Sequence, residues 1–336
     1  MQYSTFAAID IGSYDVILEI FEISKKQGIR SVDKICHRME LGKDTYTLGK
    51  IRPEMEEELC RVLADFVRIM EGYRVDDYRA TASSAISEAS NSLYVLGKIH
   101  QLTGLSVTVL SNSEQRFLSY KALAAMEDNF NKIIEKGTAI LDLDGGSFQI
   151  SLFDKDALVT TQNIRMGSLR IRERLAGIQS ETEHYEEMVE ELIWNEVSSF
   201  KKMYLKDRKI ENIMLIGDVF TDSVYQNIEE NTTTIISREN FNTWYEKIIR
   251  QSPMELAVKL GIPLENASLM YPSAVIYKCL IDMMGAEHIW IPGVHMTRGI
   301  AYEYAEQMKL LKGGHNFEND ILMAAKNIGK RYAVNR

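Results

Sequence analysis

Residues 138–150, TAILDLDGGSFQI, decide how the chain is interpreted. A run of residues that prefer extended backbone leads into a turn at residues 145–147, GGS, and a second apolar run follows. Paired glycines between two such runs predict a β-hairpin whose turn leaves backbone N–H groups uncovered for a phosphate. Asp142 and Asp144 flank the turn, and carboxylates of this kind bind Mg²⁺ or a water. An ordinary hairpin with two solvated aspartates fits the same residues.

A second copy of this design lies near the start of the chain. Residues 6–21, FAAIDIGSYDVILEIF, place Asp10 at the end of an apolar run, followed by a turn at Gly12-Ser13 and another alternating run. Two strand–Asp–Gly–Ser–strand units at domain spacing predict a duplicated fold with a phosphate-binding cleft between its halves. We therefore expect both turns to face one cleft.

Length and composition set the limits of this interpretation. A chain of 336 residues is long enough for two domains, each with its own core. The net charge of −9 argues against a general nucleic-acid-binding surface. No run of eighteen apolar residues occurs, so we expect no membrane span. The three cysteines lie far apart without metal-ligand spacing, which favours a reducing, cytoplasmic location.

The order of predicted elements is three strands, then helix, strand, helix, strand and helix, and most of this order recurs after residue 137. This alternation predicts an α/β fold. A long amphipathic helix is expected over residues 54–72, and residues 39–50 are expected to form a polar loop. The polar segment 127–136 is the expected linker between the domains.

At this point several ordered motifs resemble those of the exopolyphosphatase and guanosine pentaphosphate phosphatase (Ppx/GppA) family. That family belongs to the actin-like ATPase superfamily. The motifs that carry the resemblance are AAIDIGSY at 7–14, SSAISEASN at 83–91, LSNSEQRFLSY at 110–120, ILDLDGGS at 140–147, RMGSL at 165–169 and TRGIAYE at 297–303.

The resemblance implies a fold of two actin-like (ribonuclease-H-like) domains, each a mixed five-stranded sheet with flanking helices, with a cleft between them. The expected first domain is 1–127 and the second 136–300, followed by C-terminal helices at 301–336. Residues 319–332, NDILMAAKNIGKRY, resemble the opening helix of the all-helical domain that longer family members carry. We therefore expect the chain to be a truncated form of such a protein.

The reaction that the resemblance implies is Mg²⁺-dependent hydrolysis of the terminal phosphate of polyphosphate or of pppGpp. The metal would be held by Asp10 and Asp142, and the attacking water would be activated by the residue at position 115. The implied phosphate-binding positions are Gly12, Ser13, Ser87, Gly145, Gly146 and Ser147. Family chemistry of this kind is mainly positioning and charge stabilisation.

The chain departs from the family pattern at six of these motif positions. The Glu that activates water is replaced by Gln115, an amide that accepts no proton. Glu114 is the neighbouring candidate, but it is about 100° away by helix periodicity. Ser87 and Thr297 stand where the family has arginine. Tyr14, Asp144 and Gln149 stand where the family has asparagine, glycine and glutamate, respectively.

Two functions are therefore compatible with the sequence. The first is the family hydrolase, slowed because loss of a general base costs roughly 10²- to 10⁴-fold in rate. The second is a catalytically inactive relative that binds a phosphate-rich ligand or a protein partner. The expected cofactor is Mg²⁺, and the expected ligand is polyphosphate or a guanosine polyphosphate. No nucleic acid or membrane is expected as a partner, and a homodimer is compatible with either function.

Overall fold

The structure is a computed structural model that describes residues 3–126, 130–176, 185–205, 208–217, 219–226 and 234–311, together with Phe317, Leu322 and Gly329. The chain divides into two compact units. Unit 1 contains Met1–Ala125 and His295–Gly314, and unit 2 contains Met126–Val294 and His315–Arg336.

The strands of the two units are β1 (Ser4–Ile11), β2 (Asp15–Ser24), β3 (Gly28–Arg38), β4 (Asp77–Ala82), β5 (Val107–Val109), β6 (Thr138–Leu143), β7 (Phe148–Asp154), β8 (Ala157–Ile164), β9 (Asn212–Ile216), β10 (Thr234–Ser237) and β11 (His288–Ile291). The helices are α1 (Leu41–Leu48), α2 (Pro53–Tyr73), α3 (Ser84–Ser87), α4 (Ser92–Thr103), α5 (Asn112–Met126), α6 (Phe130–Ile134), α7 (Ser168–Leu175), α8 (Tyr185–Phe200), α9 (Val219–Gln226), α10 (Arg238–Ile249), α11 (Pro253–Leu260), α12 (Leu264–Met284) and α13 (Met296–Gln307). A single π-helical turn, Lys201–Leu205, follows α8.

Unit 1 is built on a five-stranded sheet in the order β3-β2-β1-β4-β5. The strands β1, β2 and β3 form an antiparallel meander, whereas β4 and β5 add in parallel on the other side of β1. Both faces of the sheet are covered, because residues of β1 alternate between two hydrophobic clusters. Ala7, Ile9 and Ile11 pack with α2 and α4, while Phe6 and Ala8 pack with α5 and α13.

Unit 2 repeats the same arrangement around a six-stranded sheet in the order β10-β11-β9-β6-β7-β8. The strands β6, β7 and β8 form the antiparallel meander, and β9 and β11 continue in parallel. The meander, with two parallel strands beside it, therefore occurs twice, as the two copies of the strand–Asp–Gly–Ser–strand pattern predict.

The prediction of two five-stranded sheets is wrong for unit 2, which has a sixth strand. This strand, β10, is short and stands at the end of the sheet, and among the described residues it pairs with β11 alone. Four residues at a sheet edge carry too little periodicity to be found in a sequence, since the pairing comes from the neighbouring strand. The α/β class and the actin-like duplication are confirmed.

Two segments expected to lack structure are partly helical. Residues 39–50 contain α1, in which Leu41 is fully buried and Asp44 nearly so. The expected linker 127–136 contains α6, whose apolar side chains are buried, with the Phe130 ring 6.3 Å from that of Phe153. Residues 127–129 lie outside the described part of the chain.

The last described helix, α13, belongs to unit 1, whereas the sequence placed residues 301–336 apart from both domains. Its apolar side chains complete the core on one face of the first sheet, and the rings of Phe6 and Tyr304 stack at 4.1 Å. The expected helix over 319–332 lies outside the described residues, apart from Leu322 and Gly329.

Candidate functional site

The turn between β1 and β2, residues 12–14, is the first predicted phosphate loop and is called loop 1. Asp10 is half-buried near the end of the central strand β1, and the Thr81 hydroxyl lies 3.4 Å from its Oδ1. By strand alternation the Asp10 side chain is on the face that α5 and α13 cover. The structure thus presents one carboxylate beside the turn, as the sequence predicts.

The carbonyl groups of loop 1 are held by the segment that follows β3. Ser13 O accepts from the N–H of Gly42 at 2.6 Å, and Tyr14 O accepts from the N–H of Met39 at 3.0 Å. The N–H of Gly12 donates to Asp15 O at 2.9 Å, so this donor closes the turn. These hydrogen bonds fix the backbone of loop 1, and its binding of a phosphate stays a prediction.

A hydroxyl chain connects loop 1 to the second motif. Ser13 Oγ lies 2.7 Å from the hydroxyl of Tyr46 on α1, and that hydroxyl lies 2.9 Å from Ser84 Oγ on α3. Ser87, at the family's arginine position, is exposed at the end of α3. The structure thus brings Ser13 and the α3 motif together, through a tyrosine that sequence analysis missed.

The side chain of Tyr14 is buried and does not stand open in the loop. Its ring lies under the guanidinium of Arg38, with 5.3 Å from Cζ to the ring centroid. Arg38 Nη1 donates to Asp15 Oδ2 at 2.9 Å. Burial opposes the charge of Arg38, but Tyr14, Cys36 and Asp15 outweigh it and raise the pKa of the guanidinium. A charged arginine therefore stands beside loop 1.

The turn between β6 and β7, residues 144–147, is the second predicted phosphate loop and is called loop 2. All four of its carbonyls are hydrogen-bonded within the protein. Asp144 O and Gly145 O accept from the N–H groups of Ser168 and Arg170 at the start of α7. Gly146 O accepts from Arg170 Nε at 2.8 Å, and Ser147 O accepts from the N–H of Asp144 at 2.9 Å.

Some N–H groups of loop 2 donate to acceptors within the described part of the protein, and others do not. Gly145 N–H donates to Asp144 Oδ1 at 2.6 Å. Within the described ranges, the N–H groups of Gly146 and Ser147 donate to no protein acceptor. Asp144 is thus an acceptor inside the loop, and the metal-binding role that its residue type suggests stays a prediction.

Three oxygen-bearing side chains line up across the second sheet next to loop 2. Asp142 on β6 lies opposite Gln149 on β7, which lies opposite Asn163 on β8. Directly opposed residues share a face. The side-chain oxygens of Gln149 and Asn163 are buried without a hydrogen-bond partner. A Cβ at Gly217 would lie 2.6 Å from Asp142 Oδ1, so only glycine leaves that carboxylate its place.

This polar row fits a hard cation. Mg²⁺ takes oxygen ligands and usually uses one or two carboxylates together with waters and substrate phosphates. Asp142 supplies the carboxylate, and the unpartnered oxygens of Gln149 and Asn163 supply acceptors for its waters. Among the residues that the structure describes, no group of three or more His, Cys, Asp or Glu forms an all-protein metal cage. A metal here would have to share its coordination with a ligand.

The helix α5 places the two candidates for water activation on different sides. Gln115 is nearly buried, whereas Glu114 is exposed. Glu114 Oε2 accepts from the N–H and the hydroxyl of Ser111 at 2.8 and 2.7 Å, which forms a capping box at the start of the helix. These hydrogen bonds lower the pKa of Glu114 and make it a poorer base. Glu114 is therefore engaged in capping.

The last motif holds α13 against the sheet and against α5. Thr297, at a family arginine position, donates to Oε2 of buried Glu19 at 2.5 Å, and Ser31 donates to Oε1 of the same carboxylate. A Cβ at Gly299 would lie 2.7 Å from the carbonyl carbon of Leu118, so the glycine permits the two helices to meet. The motif has a structural role here.

The predicted residues therefore fall into two groups, one in each unit. Unit 1 joins Asp10, loop 1 and the α3 motif, and unit 2 joins Asp142 with loop 2. That both loops face one cleft stays a prediction. Sequence analysis missed Tyr46, Arg38 and Asn163, each of which reaches its place only through strand pairing or a helix that carries no clear pattern.

The duplicated sheets with an aspartate and a carbonyl-anchored loop in each define a protein of the actin-like ATPase fold. The sequence profile of the Ppx/GppA phosphatase family matches residues 19–308. The chain belongs to this family. Within the described residues, no helix is long and apolar enough to cross a membrane.

Sequence relatives carry two kinds of name. The chain is 20% identical over 309 residues to a bifunctional 3-dehydroquinate synthase/phosphatase of Fusobacterium nucleatum, covering 84% of this chain and 44% of that protein. It is 25% identical over 144 residues to exopolyphosphatase 1 of Mycobacterium leprae, covering 43% of this chain and 41% of that protein. The chain thus spans less than half the length of these relatives.

Solved structures agree on the fold. An exopolyphosphatase from Cytophaga hutchinsonii superposes with a TM-score of 0.81 at 17% identity, covering 90% of this chain and 98% of that one. The Ppx/GppA family member of Aquifex aeolicus gives a TM-score of 0.74 at 17% identity, covering 91% and 99%. At this identity the likeness establishes the shared fold.

Proposed function

We propose that this protein binds the terminal phosphates of polyphosphate or of a guanosine polyphosphate with Mg²⁺ and hydrolyses the terminal phosphoanhydride slowly. The observation that carries the proposal is the anchoring of loop 2. Every carbonyl of the loop is bonded inside the protein, and in the described part of the chain the N–H groups of Gly146 and Ser147 donate to no protein acceptor. Such a loop favours a phosphate oxygen over a neutral ligand.

In this proposal each loop binds phosphate oxygens within its own unit, and Asp10 and Asp142 would supply oxygen ligands to Mg²⁺. Bound Mg²⁺ would neutralise charge on the phosphoryl oxygens. A water adds to the terminal phosphorus as the bridging P–O bond breaks, and the shortened chain leaves. Gln115 can orient this water by hydrogen bonding, but it takes no proton.

The expected rate follows from that limitation. Without a general base the water must lose its proton to solvent or to the phosphate itself, which costs roughly 10²- to 10⁴-fold in rate. This corresponds to about 3 to 5.5 kcal/mol in the barrier. Slow turnover with retained ligand binding is therefore the expected behaviour of the purified protein.

The test is release of inorganic phosphate from polyphosphate and from pppGpp, with and without Mg²⁺. We expect slow, Mg²⁺-dependent release that Asp142→Asn abolishes. Asp154→Asn is the matched control, because Asp154 ends the same hairpin strand β7 away from loop 2. Release at the same rate without Mg²⁺, or from both variants alike, would refute the proposed site.

Binding by the same proteins decides between the two functions. If polyphosphate binds and no phosphate is released, the protein is a ligand-binding relative of the phosphatases. If neither binding nor release occurs, the phosphate-binding proposal fails. A cytoplasmic location belongs to the same proposal, and it is supported by the absence of a disulfide at Cys36, Cys60 or Cys279.

A further inference from the structure

The ligand site proposed above lacks the two arginines that the family resemblance implies. Ser87 is exposed at the end of α3, and Thr297 is bonded to the carboxylate of Glu19. A phosphate chain carries a high density of negative charge, and its recognition usually depends on guanidinium groups. A guanidinium from elsewhere in unit 1 would restore the planar donor that these two positions lack.

Arg38 is placed to supply this charge. It is the last residue of β3 and lies directly opposite Asp15, the first residue of β2 after loop 1. The N–H of Met39, its neighbour in the chain, donates to Tyr14 O in the loop. The position of Arg38 relative to loop 1 is thus fixed by strand pairing and by a backbone hydrogen bond.

The side chain of Arg38 is supported from below and on one edge. The ring of Tyr14 lies under the guanidinium, and Asp15 Oδ2 accepts from Nη1 at 2.9 Å. The Arg38 side chain retains 36% of its full exposure, so the supported group still reaches the surface. A guanidinium has five N–H donors in a planar fork, which can serve a carboxylate on one edge and a phosphate on another.

We propose that Arg38, supported by the ring of Tyr14, binds phosphate oxygens at loop 1 in place of the arginines missing at positions 87 and 297. The inference rests on the proposed function. It also reverses the expected effect of Tyr14, because the bulky ring lies beneath a ligand-binding cation and does not fill the loop. Asp15 then competes with the ligand for the same guanidinium.

The experiment measures the affinity of sodium tripolyphosphate with Mg²⁺ by isothermal titration calorimetry. Arg38→Met should weaken binding by about 10-fold or more, the size of a charge-assisted hydrogen bond. Arg38→Lys should recover only part of this loss, because an ammonium does not form the fork. Asp15→Asn should strengthen binding, since it releases the guanidinium from a competing carboxylate.

The affinity should fall in Arg38→Met and rise in Asp15→Asn, and these opposite changes distinguish a ligand-binding role from a structural one. A purely structural ion pair would give losses of the same sign in both. Arg30→Met is the matched control, because Arg30 pairs with Glu22 across the same two strands at their other end. It should leave the affinity unchanged.

The outcomes that overturn the inference are distinct from those that overturn the function. A wild type that binds no tripolyphosphate refutes the proposed function. If the wild type binds tripolyphosphate and the affinity of Arg38→Met equals that of the wild type or of Arg30→Met, the role of Arg38 is refuted. Circular dichroism of each variant confirms that its fold is retained, and Tyr14→Leu should lose affinity as Arg38→Met does.

Discussion

The carboxylate of Asp144 accepts a hydrogen bond from the N–H of its own neighbour, Gly145, at 2.6 Å. One of the N–H groups that a phosphate would use is thus already bound by an anion of the protein. Replacement of Asp144 by glycine should raise the affinity for Mg²⁺-tripolyphosphate roughly fivefold to tenfold. Two like charges about 4 Å apart cost about 1 kcal/mol even in water. Titration calorimetry measures the change.

Asp144→Asn separates the charge from the hydrogen bond, because an amide oxygen still accepts from Gly145. Its affinity should lie between those of the wild type and the glycine variant. Asp154→Asn, on the same hairpin but at its other end, should change nothing. A fall in affinity for both Asp144 variants would mean that this carboxylate is a metal ligand after all.

Glu114 is expected to stabilise the protein without taking part in the reaction. Glu114→Gln should lower the melting temperature slightly at pH 7, consistent with about 0.5 kcal/mol, the low end for an exposed cap. Hydrogen bonds from Ser111 lower the pKa of Glu114 in the folded state. The stabilisation is therefore present above the unfolded value of about 4.3 and is lost as the pH falls through the folded pKa.

The measurement is a series of melting curves of wild type and Glu114→Gln from pH 7 to pH 3, together with phosphate release at pH 7. The two melting temperatures should converge at the acid end. Ser111→Ala, which removes the partner, should behave as Glu114→Gln does. Loss of phosphate release in Glu114→Gln with a normal melting curve would instead identify Glu114 as the base.

Restoring the family residues should restore chemistry if the metal and the loops are intact. The triple variant Gln115→Glu, Ser87→Arg, Asp144→Gly should release phosphate at least 10-fold faster than wild type, because it regains a base and a clamp. Gln115→Glu alone should do little, since a base without a positioned phosphate has no aligned water to activate. Release from polyphosphate and from pppGpp is the measurement.

Adding Tyr14→Asn to the triple variant gives a quadruple variant whose rate of phosphate release is compared with that of the triple variant. Because the Tyr14 ring supports Arg38, the quadruple variant should be slower than the triple one. A quadruple variant that is faster would show that the tyrosine obstructs loop 1. If neither variant is active while both bind tripolyphosphate, the site has diverged beyond these positions.

Asn91 is expected to be a stability residue of the second motif. Its side chain accepts from the N–H of Ile51 at 3.0 Å and donates to the carbonyl of Ile51 at 2.8 Å. Asn91→Ala leaves both buried backbone groups without partners, at about 1–3 kcal/mol. The melting temperature should fall by several degrees. Gln101→Ala, exposed on the neighbouring α4, should melt as wild type, and equal curves for both would contradict this role.

The sequence predicted the features that rest on periodicity. The two Asp–Gly–Ser hairpins, the amphipathic helix α2 and the duplicated order of strands all follow from runs long enough to show alternation or a helical face. The same residues place Asp10 and Asp142 beside the two turns, and their role as site residues stays a prediction.

The rest depends on contacts between segments that are distant in sequence. Helix α1 forms where Asp44 is bonded to the N–H and Nε of Arg52, and where Tyr46 meets Ser13 and Ser84. Arg38 lies beside loop 1 because of the pairing register of β2 and β3. Neither contact produces a periodic pattern in the sequence. The sequence therefore predicts a loop at residues 39–50 and an ordinary end of β3.

The position of α13 has a consequence for synthesis on the ribosome. Phe6 and Phe21 lie on a face of the first sheet that α13 helps to cover, and Lys121 of α5 pairs with Glu306 of α13 at 2.6 Å. When the nascent chain has reached residue 125, every strand of this sheet exists, but the helix that covers the face is some 170 residues from being made. Unit 1 therefore completes its fold only after residues 126–294 of unit 2 have been translated, and a fragment ending at residue 125 would leave an apolar surface open to chaperones.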